Sequence, residues 1–201
     1  MNKAHIPLFI HDGHQYHDPA GMVLPSVTTI LKGELGLFHY SSQGAANRGQ
    51  DVHSACQYYD EGDLDEKTLT DEVREYLESY KKAISHEGIK VQQNELRRYS
   101  PKYMYAGTVD KIATVNGIPT LIDLKTGQAG PWHRWQTAAY AELVRLEIGE
   151  LQRFALYIKP DGYQLIRHDG KRDFLEFLAL MSAYTIKLNT GYLKKEKTYD
   201  E

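Results

Sequence analysis

Apolar positions along the chain follow two periods. Helical spacing is clearest after Thr70, where Val73, Tyr76, Leu77, Tyr80 and Ile84 recur every three or four residues. Thr70 suits the N-cap, Asp71 and Glu72 the positive helix end, and Gly88 the stop. The same spacing predicts helices over roughly 43–59, with Ser41 or Ser42 as cap and Ala45, Ala46, Val52, Ala55, Cys56 and Tyr59 as the buried stripe, although Gly44 and Gly49 weaken it. A further helix opens at Pro131 and carries Trp132, Trp135, Ala139, Tyr140, Leu143 and Leu146; the last spans about 172–188. Residues 89–125 have β character, and two more strands are expected at 153–159 and 163–168 around Pro160-Asp161-Gly162. Residues 5–30 read as a small hairpin, with turns at Asp12-Gly13 and Pro19-Ala20-Gly21, running into Pro25-Ser26-Val27-Thr28-Thr29-Ile30.

Helices, then a β meander, a helix, more strand and a final helix make an α/β protein with a central mixed sheet. No repeat, low-complexity tract or Pro/Gly-rich linker divides the chain, so one domain over 1–201 is expected, with 1–40 as a β-hairpin-like extension.

Asn116-Gly117 between two β-like runs is a strong two-residue hairpin signal, because a type I′ turn needs positive φ at both central residues. If Val115 faces Ile118, Asp110 falls opposite Asp123 and Thr108 opposite Lys125, and alternation puts all four on one side of the sheet. Two carboxylates so paired repel. The compensation is a shared proton, the neighbouring Lys125 or a divalent cation, and Mg²⁺ suits a carboxylate-and-water site.

Charge sharpens this picture. The chain carries 24 Lys+Arg against 27 Asp+Glu, a formal −3, which excludes a strongly basic coat protein. Residues 51–75 hold nine acids and two bases, so the rest of the chain is net +4, with basic clusters at Arg97-Arg98 with Lys102 and at Lys194-Lys195 with Lys197. The acidic run Asp60 to Glu66 is expected to form a loop facing away from a nucleic acid. Cys56 is the single cysteine, which excludes a disulfide framework, a Cys₄ zinc site and a Cys-ligated iron–sulfur cluster. The ten-residue uncharged run 177–186 is shorter than the roughly 20 residues a membrane helix needs, and the N-terminus lacks secretory-signal features. A soluble, intracellular (cytoplasmic) protein is expected, with no membrane partner.

Gly107-Thr108-Val109-Asp110, followed by Ile122-Asp123-Leu124-Lys125-Thr126-Gly127, resembles the paired motif of the PD-(D/E)XK nuclease superfamily, in the Gly-x-x-Asp form of its RecB-type exonuclease branch. That branch includes phage nucleases and the mitochondrial genome maintenance exonuclease. Arg48-Gly49-Gln50-Asp51-Val52-His53 is similar to the branch's helical Arg-Gly-x-x-x-His motif, Glu95 to its upstream acid and Gln136-Thr137-Ala138-Ala139-Tyr140 to its Gln-x-x-x-Tyr motif. The segment at 25–30 resembles one common in phage members. The resemblance implies a restriction-endonuclease-like core and a Mg²⁺- or Mn²⁺-dependent deoxyribonuclease without an iron–sulfur cluster.

Asp110, Asp123 and His53 would then be metal ligands, with the Leu124 carbonyl a further one. Lys125 would orient the attacking water, and Glu95 would contact a metal-bound water or second cation. Gln136 and Tyr140 would border the scissile phosphate; Arg48, Arg97, Arg98 and Lys102 would contact DNA phosphates. An exonuclease acting on DNA ends or single strands is favoured, with a recombination or replication protein as a possible partner. A structure-specific endonuclease and a catalytically weak DNA-binding module of the same fold are the alternatives.

Overall fold

The computed structural model describes residues 8–10, 15–36 and 43–192. The expected Asp12-Gly13 turn, the Ser41/Ser42 cap and the 194–197 basic cluster fall outside them. Three short antiparallel strands, β1 (Leu8–Ile10), β2 (Gln15–His17) and β3 (Val23–Leu24), form a small sheet. Its Tyr16 and Leu24 are buried against Ala106.

The chain then turns into helix α1 (Val27–Leu35), which the β-branched run Val27-Thr28-Thr29-Ile30 conceals in the sequence. Capping and burial outweigh propensity there. The Ser26 hydroxyl accepts the Thr29 N–H at 3.0 Å, Val27, Ile30 and Leu31 are buried on one face, and Gly36 closes the helix in the left-handed conformation.

Helix α2 (Gln43–Glu61) and helix α3 (Asp71–His86) follow, joined through a short 3₁₀ turn at Glu66–Thr68. Thr70 caps α3 as expected, its hydroxyl accepting from Val73 N. The expected loop at 60–66 begins later than the acids suggested, because Asp60 is the penultimate residue of α2 and its side chain is buried.

The central sheet comprises β4 (Ile89–Ser100), β5 (Tyr105–Val115), β6 (Ile118–Lys125), β7 (Gln152–Lys159) and β8 (Gly162–Arg167), in that spatial order. All neighbours are antiparallel except β6 and β7, which are parallel and connected through helix α4 (His133–Ile148). Helix α5 (Asp173–Asn189) ends the described chain. Helices α2 and α3 bury Val52, Cys56, Leu77 and Tyr80 against Ala113, Ile122 and Leu124; α1, α4 and α5 bury Ile30, Tyr140 and Phe177 against Val109, Ile112 and Leu121. The result is an α/β/α core with the mixed five-stranded sheet in the middle.

Asn116 and Gly117 both have positive φ, 51° and 80°, as the predicted β5–β6 hairpin requires. The predicted register holds from Val115↔Ile118 to Lys111↔Ile122 and stops there. Asp110 and Asp123 would form the next rung, and Thr108 and Lys125 the one two beyond it, but the strands separate at this point. Thr108 instead pairs with Arg97 on β4.

A second irregularity faces this fork. The β4–β5 ladder passes from Asn94↔Lys111 to Leu96↔Val109, leaving Glu95 and Asp110 between these rungs, and Glu95 has φ 51°. Strict alternation fails here: Val109 and Ile112, three residues apart, face the same cluster, while Ala113 and Val115 face the other.

Candidate metal centre

The fork at the end of the β5–β6 ladder is where the chemistry-bearing side chains meet. Asp110 spans it: its Oδ2 accepts the backbone N–H of Leu124 at 2.8 Å, so a side chain ties β5 to β6 where the ladder has ended. His53 reaches the same carboxylate from α2, with Nδ1 4.0 Å from Asp110 Oδ2. Glu95 comes from β4, turned by its left-handed backbone, a conformation that is costly outside glycine and often found at functional sites. His53, Glu95 and Asp110 present ligand atoms that all lie within 4.8 Å of one another.

Asp123 stands beside this group and outside it. It is 1% exposed, and Lys125 Nζ lies 2.6 Å from its Oδ2, a close charge contact without hydrogen-bond alignment. Asp110 is grouped with His53 and Glu95, and Asp123, which interacts with both Asp110 and Lys125, adjoins that group.

Electrostatics mark the same spot. Burial, with the Asp110 charge adding to it, pushes the Glu95 carboxyl up to about 7. Burial also raises Asp123 to about 7; Lys125 opposes that shift and Asp110 reinforces it. Burial lowers the proton affinity of His53, partly offset by Asp110, so its imidazole is neutral at pH 7 and can act as a ligand. One neutral imidazole with two adjacent carboxylates fits a divalent cation that accepts oxygen and nitrogen donors, and a cation would replace the protons that crowded carboxylates otherwise retain.

The expected neighbours are also found here. Gln136 Nε2 donates to the Tyr140 hydroxyl at 3.2 Å and lies 3.5 Å from Asp123 Oδ1. Tyr140 packs so closely on β5 that a Cβ on Gly107 would meet its Cε1 at 2.7 Å, which explains the glycine three residues before Asp110. A Cβ on Gly49 would lie 3.2 Å from Thr126 Oγ1, so the glycine beside Arg48 lets α2 pass close to the segment after Lys125.

The candidate DNA contacts are dispersed. Arg48 pairs with Glu72 at 2.9 Å and lies over the Tyr76 ring. Arg98 forms two hydrogen bonds to Glu147, at 2.8 and 2.9 Å, and so fastens β4 to α4. Lys102 Nζ sits 4.6 Å above the Tyr103 ring on the β4–β5 turn. Arg97 is near enough to the centre for its charge to act on both Glu95 and Tyr16.

Tyr16 was not anticipated. Its hydroxyl is 2.7 Å from Thr108 Oγ1, and it feels the charges of Glu95 and Asp110, so the N-terminal sheet borders the centre. Nothing in the local sequence around Gln15–His17 signals this, since the contact spans 92 residues.

No protein-family model and no curated protein matches the chain. Among solved structures, a crystal structure of a putative exonuclease from Eubacterium rectale superposes with a TM-score of 0.50 at 14% identity, covering 87% of this chain and 77% of that one. A second, SSO0001, has a TM-score of 0.36 at 16% identity, over 81% and 84% of the two chains, too distant to support an argument. The first likeness is one of fold alone: a mixed five-stranded sheet flanked by helices.

Proposed function

We propose that this protein is a metal-dependent DNA nuclease of the RecB-type PD-(D/E)XK kind, hydrolysing phosphodiester bonds at DNA ends or in single strands. The observation that carries the reading is the convergence of His53, Glu95 and Asp110 within 4.8 Å, beside an Asp123–Lys125 contact of 2.6 Å. His53, Asp110 and Glu95 would hold Mg²⁺ or Mn²⁺, with Asp123 joining them when Lys125 turns to substrate and the Leu124 carbonyl available at the same point. The bound cation supplies Lewis-acid stabilisation of the phosphate and acidifies its water. Lys125 Nζ orients the attacking water and offsets charge developing on the phosphate oxygens. Gln136, bonded to Tyr140, keeps Asp123 aimed at the fork, and Arg97 supplies positive charge at its β4 side. Arg48, Arg98 and Lys102 would serve a longer DNA track once their present partners exchange for phosphates.

The test is cleavage of end-labelled linear DNA and covalently closed circles, single- and double-stranded, with Mg²⁺ or EDTA, by the wild type and Asp123→Ala. Mg²⁺-dependent loss of linear substrate, abolished in the variant, is expected. Activity in EDTA, or full activity in Asp123→Ala, would overturn the mechanism; cleavage of closed circles would replace exonuclease by endonuclease action.

A further inference from the structure

The three converging residues arrive on three separate elements, α2, β4 and β5, and each stands beside a member of one buried network. Lys111 follows Asp110, Asn94 precedes Glu95, and Asp60 lies seven residues after His53, hence on nearly the same face of α2. Lys111 Nζ donates to Asp60 Oδ2 at 2.6 Å and to Asn94 Oδ1 at 2.8 Å. From α3, the Tyr80 hydroxyl donates to Asp60, 2.8 and 2.9 Å from its two oxygens, and the Tyr80 ring lies 5.1 Å from the Lys111 ammonium. The Lys111 and Asp60 side chains are 3% and 4% exposed.

Burying this pair carries a desolvation cost that apolar residues would avoid, and a leucine beside Ala113 and Val115 would suit the α2/α3 core. Apolar packing, however, leaves a helix free to slide on a sheet. A single ammonium bonded to two acceptors on two elements sets their relative position.

We propose that Lys111 is a positioning residue for the cation centre: by tying Asp60 on α2 and Asn94 on β4 to β5, it sets the separation at which His53, Glu95 and Asp110 meet. The proposal rests on the reading of those three residues as cation ligands. It acts behind the centre, so its effect is on metal affinity rather than on contact with DNA.

Lys111→Ala alone would strand a buried Asp60 carboxylate and confound metal affinity with unfolding. The informative variants are Asn94→Ala, which removes only the β4 arm, and the charge-neutral pair Asp60→Asn/Lys111→Met. Mn²⁺ titration by calorimetry on the EDTA-treated full chain, with thermal melts of the same samples, reads the result. Both variants are expected to melt cooperatively and to bind Mn²⁺ about 10-fold or more weakly than the wild type, the range found when residues supporting metal ligands are removed. Mn²⁺ affinity within about twofold of wild type in both would overturn the positioning role. A wild type that binds no Mn²⁺ would instead overturn the cation reading itself, and the proposal with it.

Discussion

Asp110 Oδ2 accepts the backbone N–H of Leu124 at 2.8 Å, the residue between Asp123 and Lys125. That bond fixes the geometry of the fork. The oxygen engaged by β6 is also the one 4.0 Å from His53 Nδ1, so one atom of Asp110 serves both the strand tie and the centre. An asparagine at 110 could accept the same bond while removing the charge, which separates the structural role of this residue from its electrostatic one.

Lys125 and Asp123 should have opposite effects on metal binding. Their 2.6 Å contact means that the lysine competes with a cation for the carboxylate. Lys125→Ala should cut cleavage by about 10²-fold or more, as expected for loss of a transition-state donor. Its Mn²⁺ affinity should equal or exceed that of the wild type. A parallel loss of cleavage and Mn²⁺ affinity would make Lys125 a support of the site rather than a participant.

Glu95 and Asp123, both raised to about 7, mainly by burial, make a distinct contribution to the pH dependence of stability. Unfolded carboxyls titrate near pH 4, so between about 4 and 7 the folded chain holds protons that the unfolded chain has released. These two carboxyls therefore contribute stability that is lost as pH rises through that window, while His53, His133 and His168, all lowered mainly by burial, contribute in the opposite sense. Mn²⁺ should offset that loss at pH 7–8, and Asp123→Asn should remove the Asp123 share of it. Denaturant unfolding of wild type and Asp123→Asn at pH 5 and 8, with EDTA or Mn²⁺, measures this; the same metal-free change between the two pH values in both proteins would contradict the assignment.

Gly107→Ala tests the packing of the Gln136–Tyr140 helix face on β5. The new Cβ would meet Tyr140 Cε1 at 2.7 Å and Leu143 Cδ1 at 3.4 Å, so the ring must shift. A loss of about 1–3 kcal/mol is expected from overpacking, with reduced cleavage as Tyr140 leaves Gln136. Adding Tyr140→Leu should recover stability without activity. A neutral Gly107→Ala in both measurements would show that the ring is not held there.

Much of the fold was legible because its signals were local. Thr70 capped a strongly periodic helix, Asn116-Gly117 specified its own turn, and Pro160-Asp161-Gly162 separated two strands. Helix α1 was not, because Val27-Thr28-Thr29-Ile30 has strand-like propensity and only tertiary burial reveals its helical spacing. The register arithmetic brought Asp110 and Asp123 to the right region but missed the fork, since strand divergence depends on Asp110 taking the Leu124 N–H and on the left-handed Glu95 across β4. The Lys111–Asp60 pair left a readable trace: a lysine in phase with Ala113 and Val115, and an acid four residues after Cys56 on the buried stripe of α2. Tyr16 left none.

Anomalous diffraction from crystals of the protein grown with Mn²⁺ and without chelator tests the metal centre most directly. The expected result is a peak at the fork, within about 2.5 Å of the His53 imidazole and the Asp110 carboxylate, with Glu95 bound directly or through water. A map with no peak at the fork, or with Mn²⁺ only on surface carboxylates, would contradict it.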